Sequence, residues 1–264
     1  MELEIHRKGE IYLEKVDDDL VYQHTKVNLR APGAVVEFYY AKMTSQCISK
    51  PINIDELDKV RIPFEHIQPL ADPSFTRAPP ELLLSTSHYV KHPSLMYYEP
   101  TNNHTQFLND ILSEIRICEI VRQSPYPNIA KYHGSVVNEE TGRISGFVFD
   151  KYRMTLAEML KDDGPPFDRQ RCLRGIEAGI NHLHGLGLVR NDINATNVMM
   201  DHDMESIMID FDSCRKEGEK LGSKFGWTVD SEYSRRENDH HNLDKIRETL
   251  TLLWGGGGGR NVCN

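Results

Sequence analysis

The chain has 264 residues, 39% of them hydrophobic and 27% charged, the balance of a folded globular protein with room for one large or two small domains. Its 31 Lys and Arg stand against 40 Asp and Glu, and the net charge of −9 excludes a general basic field for nucleic acid or anionic lipid. No apolar run approaches the roughly 20 residues of a membrane helix, and the opening MELEIHRKGE lacks the apolar centre of a signal peptide, so a cytoplasmic or otherwise intracellular protein with no nucleic-acid and no membrane partner is expected.

Residues 1–45 read as strands. EIHRKGEIYLEKV alternates on either side of Gly9, which reads as a turn, and GAVVEFYYAKM is β-branched and aromatic. Asp17-Asp18-Asp19 reads as a solvated turn. Residues 51–80 are proline-rich, ending RAPPE, and read as an irregular covering segment. HYVKHPSLMYYEP, residues 88–100, reads as strand, with Tyr89, Tyr97 and Tyr98 as packing residues. From Leu108 a helix is predicted, since Leu108, Ile111, Leu112, Ile115 and Cys118 share one face. The two prolines of SPYPN stop it. IAKYHGSVV and ISGFVFDKY read as paired strands about the turn NEETG.

TLAEML reads as a short helix capped by Thr155. A clearer helix follows Asp168, with Leu173, Ile176, Ile180 and Leu183 as its apolar stripe, and ends at the glycines of HGLGLV. VMMDHDMESIMIDF reads as a hairpin, 212–238 as a polar loop and DHHNLDKIRETLTLLW as a last helix, before the low-complexity GGGGGRNVCN. That last pattern breaks off, and a lobe cut there is expected to expose Leu250, Leu252, Leu253 and Trp254. The five cysteines are scattered with no C-x-x-C pair, which points to reduced thiols and no structural zinc, with at least three as small buried hydrophobes. His182, His184, His240 and His241 read as solvated or packed histidines, because adjacent residues on a helix do not converge on one ion.

One stretch concentrates chemistry: RNDINATN, residues 190–197. Phosphoryl transfer needs a cation on the phosphates, oxygen ligands for magnesium and a carboxylate that accepts the proton of the attacking hydroxyl. Asp192 is the candidate base, and Asn197, five residues on, offers an amide oxygen to the metal. Asp210 lies thirteen further, across the hairpin, as the main metal ligand. Lys91 is the candidate phosphate cation and Glu114 its partner. Lys42 and Glu119 are the rivals for these two roles. GGGGGR is not a phosphate loop, since no Lys-Ser/Thr follows it.

These residues carry a resemblance. LHGLGLVRNDINATNVM, MIDFDSCR, EIRICEIVRQSPYPNIAKYHG and FVFDKY, in their places along 85–253, resemble the catalytic loop, metal-binding segment, αC helix with its following P-N-I, and hinge of eukaryotic-type protein kinases, more narrowly a group of fungal kinase-like proteins. The resemblance implies an α+β, two-lobed protein-kinase-like fold: a strand-rich N-lobe with one long helix, and a mainly helical C-lobe truncated after the αF-like helix. It implies a strand-rich extension over 1–60, the N-lobe over 61–150, a partial C-lobe over 151–253 and a disordered glycine-rich tail over 254–264. It further implies a Ser/Thr protein kinase-like transferase using ATP and Mg2+ on a protein or peptide substrate. Asp192 is then catalytic. Lys91, Glu114, the gatekeeper Phe149, Asp150 and Tyr152 face the nucleotide, Asn197 and Asp210 hold the metal, and Asp239 braces the catalytic loop.

Several positions depart from the pattern. No G-x-G-x-x-G precedes Lys91. The H-R-D triplet reads Arg190-Asn191-Asp192, which removes the arginine that reads a phosphorylated activation loop. The usual lysine two after the base is Asn194, and the glycine of D-F-G is Asp212. These departures keep two further readings open. One is a pseudokinase that scaffolds or binds without turnover; the other is a small-molecule kinase of the sugar or aminoglycoside type.

Overall fold

The computed structural model of the chain describes residues 2–14, 20–31, 36–46, 51–96, 98–100, 104–161, 165–221 and 232–255. It shows a mixed α and β protein built on antiparallel sheets with few helices. The chain divides into two compact units that alternate along the sequence. The first takes Met1–Ala71, His92–Leu112 and Asn138–Ser145; the second takes Asp72–Lys91, Ser113–Val137 and Gly146–Asn264. Among the described residues no helix is long and apolar enough to cross a membrane.

In the first unit β1 (Glu4–Glu14), β2 (Leu20–Ala31), β3 (Glu37–Met43) and β4 (Val60–Ile62) pair antiparallel in that order. The two-residue side-chain period of β3 turns Phe38 and Tyr40 inward, where they pack with Ile62, Ile67, Leu95 and Tyr98. Lys26 on β2 is fully buried; its ammonium donates to the carbonyl of Tyr98 and lies 3.5 Å from Glu99 Oε1. Burial pushes its pKa down, against the pull of Glu99.

Gly9 is not a turn. Strand β1 runs straight through it, paired with Lys26 of β2. A Cβ there would stand 2.6 Å from Met96 Cε, so the glycine admits a neighbouring side chain rather than bending the backbone. Residues 88–100 are likewise only partly strand. β5 covers His88–Lys91 and stops before Pro93, which has no amide to donate to a ladder. Segment 51–80 is as irregular as its composition suggests, apart from β4 and single 3-10 turns at Ile54–Glu56 and Phe64–His66. Residues 17–19, 33–35, 47, 97, 222–231 and 256–264 lie outside the described residues. So do the triple aspartate, the start of the third strand pattern, Tyr97, Cys47, part of the polar loop, Cys263 and the glycines after Gly255.

The second unit holds the end of α1 (His104–Gln123), which begins four residues earlier than its apolar stripe and stops at the first proline turn. β6 (Tyr132–Asn138) and β7 (Arg143–Asp150) form the expected hairpin, and the sheet order is β5–β7–β6. Gly134 on β6 has φ +134° and lets the backbone of residues 76–78 approach: an added Cβ would lie 2.6 Å from the Ala78 amide nitrogen. Next come β8 (Met154–Thr155) and α2 (Leu156–Met159), whose Thr155 cap and Glu158 form a reciprocal capping box.

Helix α3 (Arg169–Gly185) is capped by Asp168 and buried along Cys172, Ile176, Ile180 and Leu183. β9 (Leu188–Val189) pairs with β12 (Arg215–Lys216). β10 (Val198–Met200) pairs with both β11 (Ser206–Met208) and β8. The last helix, α4 (Arg236–Gly255), starts three residues before its predicted start and includes Trp254. Leu250 is buried rather than exposed. Cys118, Cys172 and Cys214 are free and buried, as their apolar contexts predict.

Candidate active site

Every residue of the candidate site lies in the second unit. Lys91 closes strand β5, opposite Phe147 of β7. Its ammonium meets Glu114 Oε1 of α1 and lies 2.5 Å from Asp210 Oδ1, which follows β11. Burial alone would push the Lys91 pKa down, but the carboxylates of Glu114, Asp210 and Asp212 outweigh it and hold the lysine above its ordinary value. Asp210 sits at about 2, because Lys91 and Arg190 overcome the cost of its burial. Glu114 moves the other way. It is buried on α1 and shares one ammonium with two aspartates, so its pKa is raised. Glu114 Oε1 also accepts from the amide of Phe211 at 3.3 Å, which ties the helix to the segment after β11.

The rivals fall elsewhere. Lys42 pairs with Glu99 in the first unit, at 2.7 Å. Glu119 accepts from the amide and hydroxyl of Thr76 at 2.7 and 2.9 Å.

The loop 190–197 turns its polar groups on itself. Asp192 Oδ1 accepts from Asn194 Nδ2 and Oδ2 from Asn197 Nδ2, both at 2.8 Å. A carboxylate has about four acceptor positions, so each oxygen keeps one for an incoming hydroxyl. The Asn197 carbonyl accepts from Ile209 at 3.0 Å, and β10 and β11 hold Val198 opposite Met208. The hairpin therefore brings Asn197 beside the residue that precedes Asp210. The Asn197 side-chain nitrogen is committed to Asp192, to its carboxylate at 2.8 Å and its carbonyl at 3.2 Å. Asp210 itself has φ 61°, a left-handed conformation that aspartate tolerates better than most residues.

What fixes this loop was only partly visible in the sequence. Asp239 on α4 is fully buried and accepts from three donors: the amides of Arg190 (2.9 Å) and Asn191 (2.7 Å) and His184 Nε2 (2.8 Å). Asn191, also fully buried and at φ 63°, donates from Nδ2 to Val189 O, Ser213 O and Ser234 Oγ. Its Oδ1 accepts from Asn238 and its backbone oxygen from Asn242. The signal for this hub is the run N-D-H-H-N, 238–242, which puts amides on the buried face of α4 where apolar residues belong. Arg190 is 1% exposed. It donates to Ile209 O at 3.1 Å, and its Nη1 has no hydrogen-bond partner among the described residues. Burial works against its charge, and Asp210, Asp192 and Asp212 more than restore it. His182 caps nothing catalytic; it bonds Ser124 O at 2.8 Å and stacks on Tyr126.

Phe149 is buried beside Tyr132, with ring centroids 5.5 Å apart. After it, the amides of Asp150 and Lys151 bond the carbonyls of Lys131 and Ser87, at 3.1 and 2.9 Å. Tyr152 is anchored by its hydroxyl, which accepts from the Lys131 amide at 3.0 Å, and burial pushes its pKa to about 12.

No protein-family model matches the chain. Parts of it are similar to two curated proteins. One is the mitogen-activated protein kinase kinase kinase 3 of Arabidopsis thaliana, 33% identical over 94 residues, which is 35% of this chain and 15% of that protein. The other is the serine/threonine-protein kinase PSK1 of Saccharomyces cerevisiae, 30% identical over 117 residues, or 40% of this chain and 8% of that protein. The matches thus span a small fraction of either relative's length. They suggest a kinase-like relationship.

Proposed function

We propose that this chain is a kinase-like, ATP-dependent phosphotransferase with a two-lobed protein-kinase-like fold, acting on a serine or threonine hydroxyl. The observation that carries this reading is the convergence of Lys91, Glu114 and Asp210 from three separate elements, next to a loop that presents Asp192 and Asn197. Lys91 serves as the phosphate cation, and Glu114 keeps it in place from α1. Asp192 orients the acceptor hydroxyl and takes its proton. Asn194 and Asn197 hold that carboxylate in one orientation. Asp239 and Asn191 hold the loop itself. Phe149 closes the back of the adenine site, and the backbone at Asp150 and Tyr152 lines it.

The donor set suits magnesium, a hard ion that takes oxygen ligands. Asp210 and Asn197 supply a carboxylate and an amide oxygen. Four carboxylates (Glu114, Asp192, Asp210, Asp212) face two cations (Lys91, Arg190), which leaves an excess of negative charge of the size one divalent ion neutralises. When bound, the ion would neutralise charge on the phosphate oxygens.

The test separates binding from turnover. Thermal shift with ATP, with and without Mg2+, is measured on the wild type and on Asp192→Asn, together with phosphate transfer to a Ser/Thr peptide mixture. The expected result is an equal MgATP shift in both and transfer in the wild type alone. Full transfer by Asp192→Asn sinks the assignment. A second reading, a pseudokinase that binds partners without turnover, is favoured by Arg190, a buried cation beside Asp192 and Asp210 where the kinase pattern has histidine. A MgATP shift without transfer to any acceptor selects it.

A further inference from the structure

The sheet β5–β7–β6 carries a second cluster of side chains, of whose members the sequence pattern gives a role to Asp150 alone, through its backbone. His88 on β5 stands directly opposite Asp150 on β7, and His133 lies on β6, the strand on the other side of β7. The three residues form a row across adjacent strands, and their side chains converge. His133 Nε2 is 2.6 Å from Asp150 Oδ1, and His88 Nε2 is 3.7 Å from the same oxygen. The two imidazole rings are 4.9 Å apart, and one ligand atom from each of the three side chains falls within 4.8 Å of the others. All three are partly buried, with side-chain exposures of 15%, 18% and 36%.

These separations suit a shared ion. Four ligands at about 2.0–2.1 Å from a tetrahedral ion lie about 3.3 Å from one another. The observed 2.6 and 3.7 Å bracket that value, so small side-chain rotations bring both nitrogens and the oxygen to ligand spacing. A second observation points the same way. His88 Nδ1 lies 3.1 Å from Ser87 Oγ, which is itself 2.8 Å from Ser85 Oγ. The His88 ring is thereby held at Nδ1 and turns Nε2 toward the Asp150 carboxylate. Histidine ligands of metals commonly have their other ring nitrogen held in this way.

We propose that His88, His133 and Asp150 form a binding site for a divalent transition-metal ion of the zinc class, with one position left for water or a further ligand. Two imidazoles and one carboxylate select zinc, cobalt or nickel over magnesium or calcium, which prefer all-oxygen sets. The ligands come from three strands, so the ion staples β5, β7 and β6 together just before the chain leaves the sheet at Lys151. Only the folded chain presents them together, so metal binding stabilises the fold by mass action. The proposal does not rest on the phosphotransfer reading, which uses the backbone of Asp150 but none of these three side chains.

The full chain, stripped by a chelator and dialysed, is titrated with Co2+ by absorbance and with Zn2+ by calorimetry. One equivalent is expected to bind at roughly micromolar affinity or tighter, with visible Co2+ bands of four- or five-coordinate intensity and a melting temperature that rises with Zn2+. His133→Gln and His88→Gln are each expected to weaken binding by at least about tenfold. Both variants are checked for native circular dichroism, and His241→Gln, on the exposed side of α4, is the control for adventitious histidines. No binding by the wild type at a hundred-fold excess of Zn2+ overturns the proposal. So does binding that survives in folded His88→Gln and His133→Gln.

Discussion

Replacing Asn191 by arginine restores the middle residue of the H-R-D pattern, and sequence comparison alone would recommend it. The structure argues the reverse. Asn191 has no exposed surface, and its side chain bonds Val189 O, Ser213 O, Ser234 Oγ and Asn238 Nδ2 at 3.0–3.1 Å. Arginine has no acceptor, so Asn238 Nδ2 loses its Asn191 contact and keeps only its bond to Tyr233 O. The longer side chain must be fitted into a filled site, which costs about 1–3 kcal/mol. It also brings a second buried cation beside Arg190. The φ of 63° adds about 1 kcal/mol, since asparagine accepts the left-handed region more readily than arginine.

Together with about 1–3 kcal/mol for the hydrogen bonds lost, the loss comes to about 4 kcal/mol, a large share of the ordinary 5–15 kcal/mol of a folded domain. Urea unfolding followed by circular dichroism should show the midpoint falling by about 2 M for a slope near 2 kcal/mol/M. Asn194→Lys, the companion restoration at a half-buried position, removes bonds to Asp192 and Thr196 and should cost about 1–2 kcal/mol. An Asn191→Arg protein with an unchanged or higher midpoint would refute the claim that this residue is a neutral hydrogen-bond hub.

Three further outcomes follow from other contacts. Asp239→Ala strips the acceptor from two buried amides and His184, and should lower stability by about 3–5 kcal/mol in the same urea assay; a loss below about 1 kcal/mol would mean the loop is held by something else. Asp210 is depressed from 3.8 to about 2, so its ion pair is fully present above the ordinary value and is lost as pH falls toward 2. The melting-temperature gap between wild type and Asp210→Asn should therefore be flat from about pH 7 to 5 and close between about pH 4 and 2; a gap that stays constant to the acid end contradicts the pairing with Lys91 and Arg190. Gly134→Ala sets a Cβ against backbone atoms at a φ of +134° and should cost about 2 kcal/mol or more. Gly9→Ala meets only the flexible end of Met96 and should cost under about 1 kcal/mol; equal costs in thermal unfolding would show that the close approach at Gly134 is not tight.

The features legible in the sequence are those written locally. Helix α3 announces itself by its apolar period and by Asp168, and α2 by Thr155, because caps and stripes are decided within a few residues. The pairing of Lys91 with Glu114 was expected from the sequence, while Asp210 was expected only as a metal ligand, and its ion pair with Lys91 comes from the fold. Gly9 was misread because a glycine that permits a turn and a glycine that admits a neighbour look alike in one dimension. The meeting of His88 and His133 with Asp150 was silent because it depends on the order β5–β7–β6, which no local pattern encodes.

Arg190 and Asn191, where the chain departs from the H-R-D pattern, are best understood together, and only in three dimensions. A buried arginine at 190 needs carboxylates around it, and Asp192, Asp210 and Asp212 provide them. A second arginine at 191 would crowd like charge into the same interior, where the effective dielectric is low and repulsion costly. Asparagine resolves this. It carries no charge, tolerates the left-handed backbone, and has donors and an acceptor to join β9, the segment after Asp210 and helix α4 at one point. The position of Asp192 then depends on neutral hydrogen bonds inside the fold and on Asp239, rather than on an arginine awaiting a phosphate. Asn191 carries no charge for a phosphate to pair with, and the loop is held instead by Asp239 and the amides of α4.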